Sequence, residues 1–154
     1  MLTAPSAEAS RLIPAAATDI FELLASPRQH ALIDGSGQVR GVQERTPERL
    51  SAGSRFGMEM RWGVPYKILN EVVEFEEGRR IAWRHFGGHV WRYLLVPVDP
   101  TSTEVTEQFD AGPSHAPVVL RLLRASSRNQ RAIEQTLIRL EDWARRRDTD
   151  RPAG

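Results

Sequence analysis

The sequence predicts an α+β fold in which one curved antiparallel sheet, of about seven strands, wraps around a long C-terminal helix. Three observations carry that prediction. From Val39 to Asp110 apolar residues recur with a period of two, the spacing of half-buried strands. The joints Gly63-Val64-Pro65, Glu77-Gly78, Gly87-Gly88 and Asp99-Pro100-Thr101-Ser102 are too short to cross over between parallel strands. From Pro117 to about Arg147 the period lengthens, placing Leu122, Ile133, Leu137, Leu140 and Ala144 on one helical stripe. No other long amphipathic element is available to cover the sheet.

The remaining elements follow in chain order. A short strand over Ser6–Ile13 is closed by Pro14. Thr18 and Asp19 are expected caps for a helix carrying Ile20, Phe21, Leu23 and Leu24 on one face. Ser26-Pro27 stops that helix and opens a second short one to Ile33, since proline suits a first turn. Asp34-Gly35-Ser36-Gly37 reads as a loop. Strands are then expected over Val39–Arg45, Ser54–Trp62, Tyr66–Glu76, Arg79–Phe86, His89–Pro97 and Thr103–Asp110, and Gly112-Pro113 ends the sheet.

Composition narrows the function classes. At 154 residues, 40% hydrophobic and 27% charged, the chain is expected to form one domain over 1–154 with its core at about 6–147. A formal charge of +1 gives no electrostatic footprint for nucleic acid. The absence of cysteine removes disulfides, thiolate metal sites and cysteine nucleophiles. No basic residue precedes Arg11, and no apolar run approaches the ~20 residues of a membrane span. A cytoplasmic protein is therefore expected. No phosphate loop, nucleophile elbow or dinucleotide fingerprint is present, so no cofactor is expected. His85 and His89 flank a hairpin without a third metal ligand. His30, near Asp34, reads as a solvated loop histidine, and His115 precedes the long helix without further signal.

Two-residue turns at Gly63-Val64, Glu77-Gly78 and Gly87-Gly88 fix a register. One face then collects Phe56, Met58, Met60, Trp62, Leu69, Val73, Phe75, Ala82, Phe86, Trp91, Tyr93, Leu95, Val105 and Phe109. The other collects Glu59, Arg61, Tyr66, Asn70, Glu74, Trp83, His85, Arg92 and Gln108. Glu71, Arg84 and Glu107 fall on the apolar face, where an unpaired charge costs several kcal/mol. Either strand ends curl away and expose them, or Arg84 pairs with Glu71 across the hairpin as a structural ion pair, or the three, with Glu107 beside Tyr93, are the polar floor of a cavity. Aromatic walls with a few convergent polar groups are the usual make-up of small-molecule sites. The candidate ligand-binding set is Phe56, Met58, Met60, Trp62, Glu71, Val73, Arg84, Trp91, Tyr93, Glu107, Phe109 and the helix residue Asn129. Glu71, Arg84, Tyr93 and Glu107 are the candidates for catalysis.

The order of elements resembles the helix-grip superfamily called SRPBCC, which includes START domains, and within it the small actinobacterial polyketide cyclase-like members. The residues that carry the resemblance are 20–28 (IFELLASPR) with Asp34-Gly35-Ser36-Gly37, 72–83 (VVEFEEGRRIAW), Trp91-Arg92-Tyr93 with Pro97, and 103–110 (TEVTEQFD). It extends from about Ser6 to Trp143 and implies a deep cavity between sheet and helix that takes a lipid-like or polyketide-like molecule. Leu94 and Val96 depart from the outward polar residues common in related strands, which leaves a homodimer contact open. Three functions follow: a binder of a small hydrophobic or aromatic molecule, a cyclase or dehydratase, or a protein-interaction or stress-response module. The last would fill its cavity with Trp62, Trp91 and Phe109 and expose Leu94, Val96 and Trp83.

Overall fold

A computed structural model of the chain describes residues 7–35, 39–42, 46–85, 88–111 and 119–150, without the side chains of Val39, Arg40, Trp62, Tyr66 and 119–126. Strand β1 (Ala7–Ile13) leads into α1 (Ala17–Leu24), a 3-10 turn (Pro27–Gln29) and α2 (His30–Ile33). Strands β2 (Val39–Val42), β3 (Arg55–Trp62), β4 (Val64–Glu76), β5 (Arg80–His85), β6 (Val90–Asp99) and β7 (Ser102–Asp110) follow, then α3 (Val119–Asp150). The sheet has the order β1-β7-β6-β5-β4-β3-β2 with every pair antiparallel. This is the expected meander around a C-terminal helix. Phe86, His115 and the loop 36–38 lie outside the described residues.

Helix α1 starts one residue earlier than its expected caps. Ala16 is the N-cap: its methyl makes no side-chain cap bond, and its carbonyl accepts from the Asp19 and Ile20 amides. Thr18 and Asp19 are thus inside the first turn, where the Asp19 carboxylate suits the helix dipole and meets Arg147 of α3 at 3.5 Å.

The three hairpins turn with odd rather than even loops, and this corrects the expected register. Trp62 pairs with Val64 around Gly63, Glu76 with Arg80 around Gly78, and the Gly88 turn joins His85 to His89. All three glycines have positive φ (73°, 76° and 99°), the conformation that lets a loop gain or lose one residue. Each odd loop inverts the next strand. Ile68, Asn70 and Val72 of β4 and Ile81 and Trp83 of β5 therefore face the helix side. Leu69 (53% exposed), Glu71 and Arg84 face solvent. Ala82 is buried, but on the other face, between Glu74 and Arg92 in the ladder. A bulge between Val72 and Glu74 restores the parity, so Phe75 points inward against Phe21 at 5.3 Å. Val73, at the bulge, is 38% exposed.

Helix α3 rests on β1, β7 and α2. Ile133, Leu137, Leu140 and Ala144 of its stripe are buried; the Leu122 side chain is outside the described residues. The Gln130 amide brackets the edge strand β1, accepting from the Glu8 amide at 3.0 Å and donating to its carbonyl at 2.8 Å. That covers backbone groups which an open edge would leave free to pair with another chain.

Gly35 lies against the helix, with its N–H donating to Thr136 Oγ1 at 2.9 Å. A Cβ there would collide with the Ala132 carbonyl oxygen and the Thr136 backbone nitrogen, neither of which can swing aside. Gly35→Ala should therefore destabilise the protein by about 1–3 kcal/mol, read as a lowered denaturant midpoint. An unchanged midpoint would show that the loop does not seat the helix.

Candidate functional site

Between the inner sheet face, α2 and α3 lies a cavity of about 290 Å3. Strand β3 contributes Phe56, Met58 and Met60; β4 contributes Ile68 and Asn70; β5 and β6 contribute Trp83, Trp91 and Tyr93. The helix closes it with Arg128, Asn129, Ala132 and Thr136, and Leu24, His30, Ile33 and Asp34 form the remaining wall. Trp83 organises the aromatic side, its ring centroid 5.6 Å from both Phe56 and Tyr93 and stacked 5.0 Å from His30.

Glu107 of β7 enters the same space. In the ladder it stands opposite Tyr93, whose hydroxyl donates to Oε1 at 2.8 Å. Oε2 is buried without a partner. Burial is the main cause that pushes the Glu107 carboxyl up to about 8, with the negative charge of Asp34 adding to it and the Tyr93 hydrogen bond opposing. Burial and the neighbouring Glu107 likewise drive the Tyr93 hydroxyl well above its usual value.

No family model matches the chain. The uncharacterised proteins Rv0088 and MT0096, from two strains of Mycobacterium tuberculosis, are each 35% identical over 138 residues, or 84% of this chain. The chain spans 60% of the length of each. Among solved structures, a START superfamily protein from Mycobacterium smegmatis gives a TM-score of 0.69 at 15% identity, covering 90% of this chain and 96% of that one. The AHSA1-like protein from Aeromonas hydrophila gives 0.66 at 16% identity, over 96% and 98%. The fold is the START-like helix grip. At these identities the likeness establishes the fold and nothing finer.

The helix-grip cavity gathers seven of the expected site residues: Phe56, Met58, Met60, Trp91, Tyr93, Glu107 and Asn129. Phe109 is buried just outside it, 4.9 Å from Trp91, and the Trp62 side chain is not described. Glu71, Val73 and Arg84 lie away from it. Glu71 and Arg84 do face one another across the hairpin, 4.0 Å apart, but on the solvent side, where such a pair contributes little.

Trp83, Asn70 and His85, expected on the outer face, point inward through the same inversion. His30 is another correction. It is buried, its Nε2 lies 2.8 Å from the Leu24 carbonyl oxygen, and desolvation lowers its pKa against the opposing pull of that bond and of Asp34. His85 and His89 stack at 4.4 Å. Burial, then the neighbouring His85, brings His89 down to about 4. No cluster of three metal-ligating side chains occurs among the described residues.

Glu107 lines the cavity, and its protonation decides whether a neutral carboxyl or a carboxylate stands in that wall. Because its folded pKa of about 8 lies above the ordinary 4.5, the folded protein holds a proton that the unfolded chain releases. The contribution of Glu107 to stability is fully present below about pH 4.5 and lost as pH rises towards 8. Stability of the wild type relative to Glu107→Gln should therefore fall between about pH 5 and pH 8, measured by denaturant unfolding. Histidine titration is common to both proteins and cancels. A pH-independent difference would mean that Glu107 is already ionised.

Proposed function

We propose that the chain binds one compact, largely apolar molecule in the helix-grip cavity, with Tyr93 and Glu107 as its polar anchor. The carrying observation is a 290 Å3 space walled by Phe56, Met58, Trp83 and Trp91 that also contains a buried, half-satisfied carboxyl group. Protein interiors close-pack, so aromatic walls around such a volume forgo contacts that a bound molecule would restore. Its size, at the lower end of the ~300–1,000 Å3 common for ligand pockets, favours a molecule of one or two rings over a long acyl chain. Met58 and Met60 give two walls that adapt to shape.

A second reading is favoured by one feature. A carboxyl group tuned to about 8 and hydrogen-bonded to a tyrosine suits proton transfer near neutral pH. In a cyclase or dehydratase of the kind the resemblance implies, Glu107 would move the proton and the walls would hold a flexible chain in a reactive conformation. Glu71 and Arg84, facing solvent, drop out of that reading. An interaction module is disfavoured, since Trp83 and Trp91 line an open cavity instead of filling it.

Native mass spectrometry of the protein purified from its own host tests binding directly. Wild type should carry a small molecule, and Ala132→Phe, which fills the helix side of the cavity, should lose it while keeping its melting temperature within a few degrees. Equal retention by both proteins would place the molecule elsewhere; an empty wild type would remove the binding function. If a reaction accompanies binding, Glu107→Gln should retain the ligand and lose turnover.

A further inference from the structure

Most polar groups in the cavity wall are already engaged. Tyr93 donates to Glu107, His30 lies on the Leu24 carbonyl, and Thr136 accepts from Gly35. Asp34 and Arg128 take part in interactions of their own. Asn70 is different. It is only 3% exposed and lines the cavity, yet its side-chain amide has no hydrogen-bond partner among the described residues. Nor is that amide sealed off as Glu107 Oε2 is, so its residual surface opens on the cavity. Its inward neighbours along β4, Ile68 and Val72, are apolar, and Phe56 stands opposite it on β3. An apolar residue would serve packing equally well at that place, and buried amides are as a rule hydrogen-bonded. The other amide of the wall, Asn129 of α3, is only half-buried.

We infer that Asn70 selects the ligand, and that the group it selects is a lactam or primary amide, on a flat apolar body set against Trp83, Trp91 and Met58. This rests on the binding function proposed above and names the polar end of the same molecule. A carboxamide carries an acceptor and a donor side by side in one plane. It therefore pairs in bidentate fashion with any edge that carries the complementary two, as asparagine does with adenine. Lactams and primary amides hold N–H and C=O on one edge. A trans secondary amide points them in opposite directions, a ketone lacks the donor, and a single hydroxyl oxygen does not meet both atoms at once. Turning the Asn70 amide about its terminal bond exchanges its two atoms and leaves the match intact. The competing reading gives the amide to a buried water and holds the ligand by shape alone; it predicts no preference between isosteres.

Calorimetric titration with the bicyclic lactam carbostyril, with coumarin and with naphthol separates the two. Coumarin is the near-isostere of carbostyril, a ring oxygen replacing its N–H, and naphthol offers one hydroxyl. Wild type should take carbostyril about tenfold more tightly than either, the worth of one net hydrogen bond. Asn70→Leu, of similar volume, should bring carbostyril down to the level of coumarin while leaving coumarin as it was. If Asn70→Leu does not fold, Asn70→Ala, with the same loss of the amide, carries the comparison. Equal or tighter binding of coumarin or naphthol by wild type overturns the lactam assignment and leaves cavity binding standing. So does a carbostyril preference that survives loss of the Asn70 amide. If none of the three binds wild type, the lactam assignment also falls, and the co-purification experiment with Ala132→Phe decides the binding function on its own.

Discussion

Helix α3 sits on one end of the sheet, and that one-sided seat is what keeps a cavity open over the other end. Its second half is apolar underneath: Ile133, Leu137, Leu140 and Ala144 seal against the core. One turn earlier the same side of the helix offers Arg128, Asn129 and Ala132, which are polar or small. The stripe stops being sealant where the cavity begins. Polar contacts then hold the helix at that height: Gln130 on the β1 backbone, Thr136 under Gly35, and Arg11 to Glu141 at 3.1 Å. Exposed ion pairs of the last kind are worth little each. The apolar half supplies the adhesion, and the directional bonds set where the helix lies.

The architecture was legible in the sequence because period and loop length are local properties. Facing was not, because it depends on loop parity, and a positive-φ glycine allows a hairpin to take one residue more or fewer. Parity errors also cancel. The odd loop at Gly63 inverts β4 and those at Gly78 and Gly88 compensate with the Val73 bulge, so that Trp91, Tyr93, Glu107 and Phe109 fall on the expected side while Trp83 and Arg84 exchange places. The sequence did carry a warning. Glu71 and Arg84 on an apolar face would cost several kcal/mol unless well paired, and a one-residue slip of those two strands turns both outward and brings Ile68, Val72, Ile81 and Trp83 in. His30 gave no such warning, since the partners that bury it, the Leu24 carbonyl and the Trp83 ring, are brought to it by tertiary structure.

The two faces of the β6–β7 hairpin carry one polar cluster that completes its bonds and one that does not. On the outer face Arg92 donates to Glu74 at 2.6 and 2.8 Å and to Gln108 at 3.0 Å, and Gln108 passes the chain to Glu8 at 2.8 Å. That network closes on itself in partial contact with water, where its charges are cheap to hold. One residue along each strand, on the inner face, the buried Tyr93 and Glu107 make a single bond and stop. The positions are adjacent, the backbone is shared, and both pairs are directly opposed in the ladder. Strand geometry therefore does not explain the difference. A cluster that served only to stabilise the sheet would complete its bonds, as the outer one does, or use an apolar pair, which the interior tolerates better. A buried carboxyl in the wall of an aromatic cavity, with one oxygen unpaired, bears a cost in the folded protein that the sheet alone does not offset. Under the proposed binding function, polar groups preorganised in this way would fix the orientation of the bound molecule.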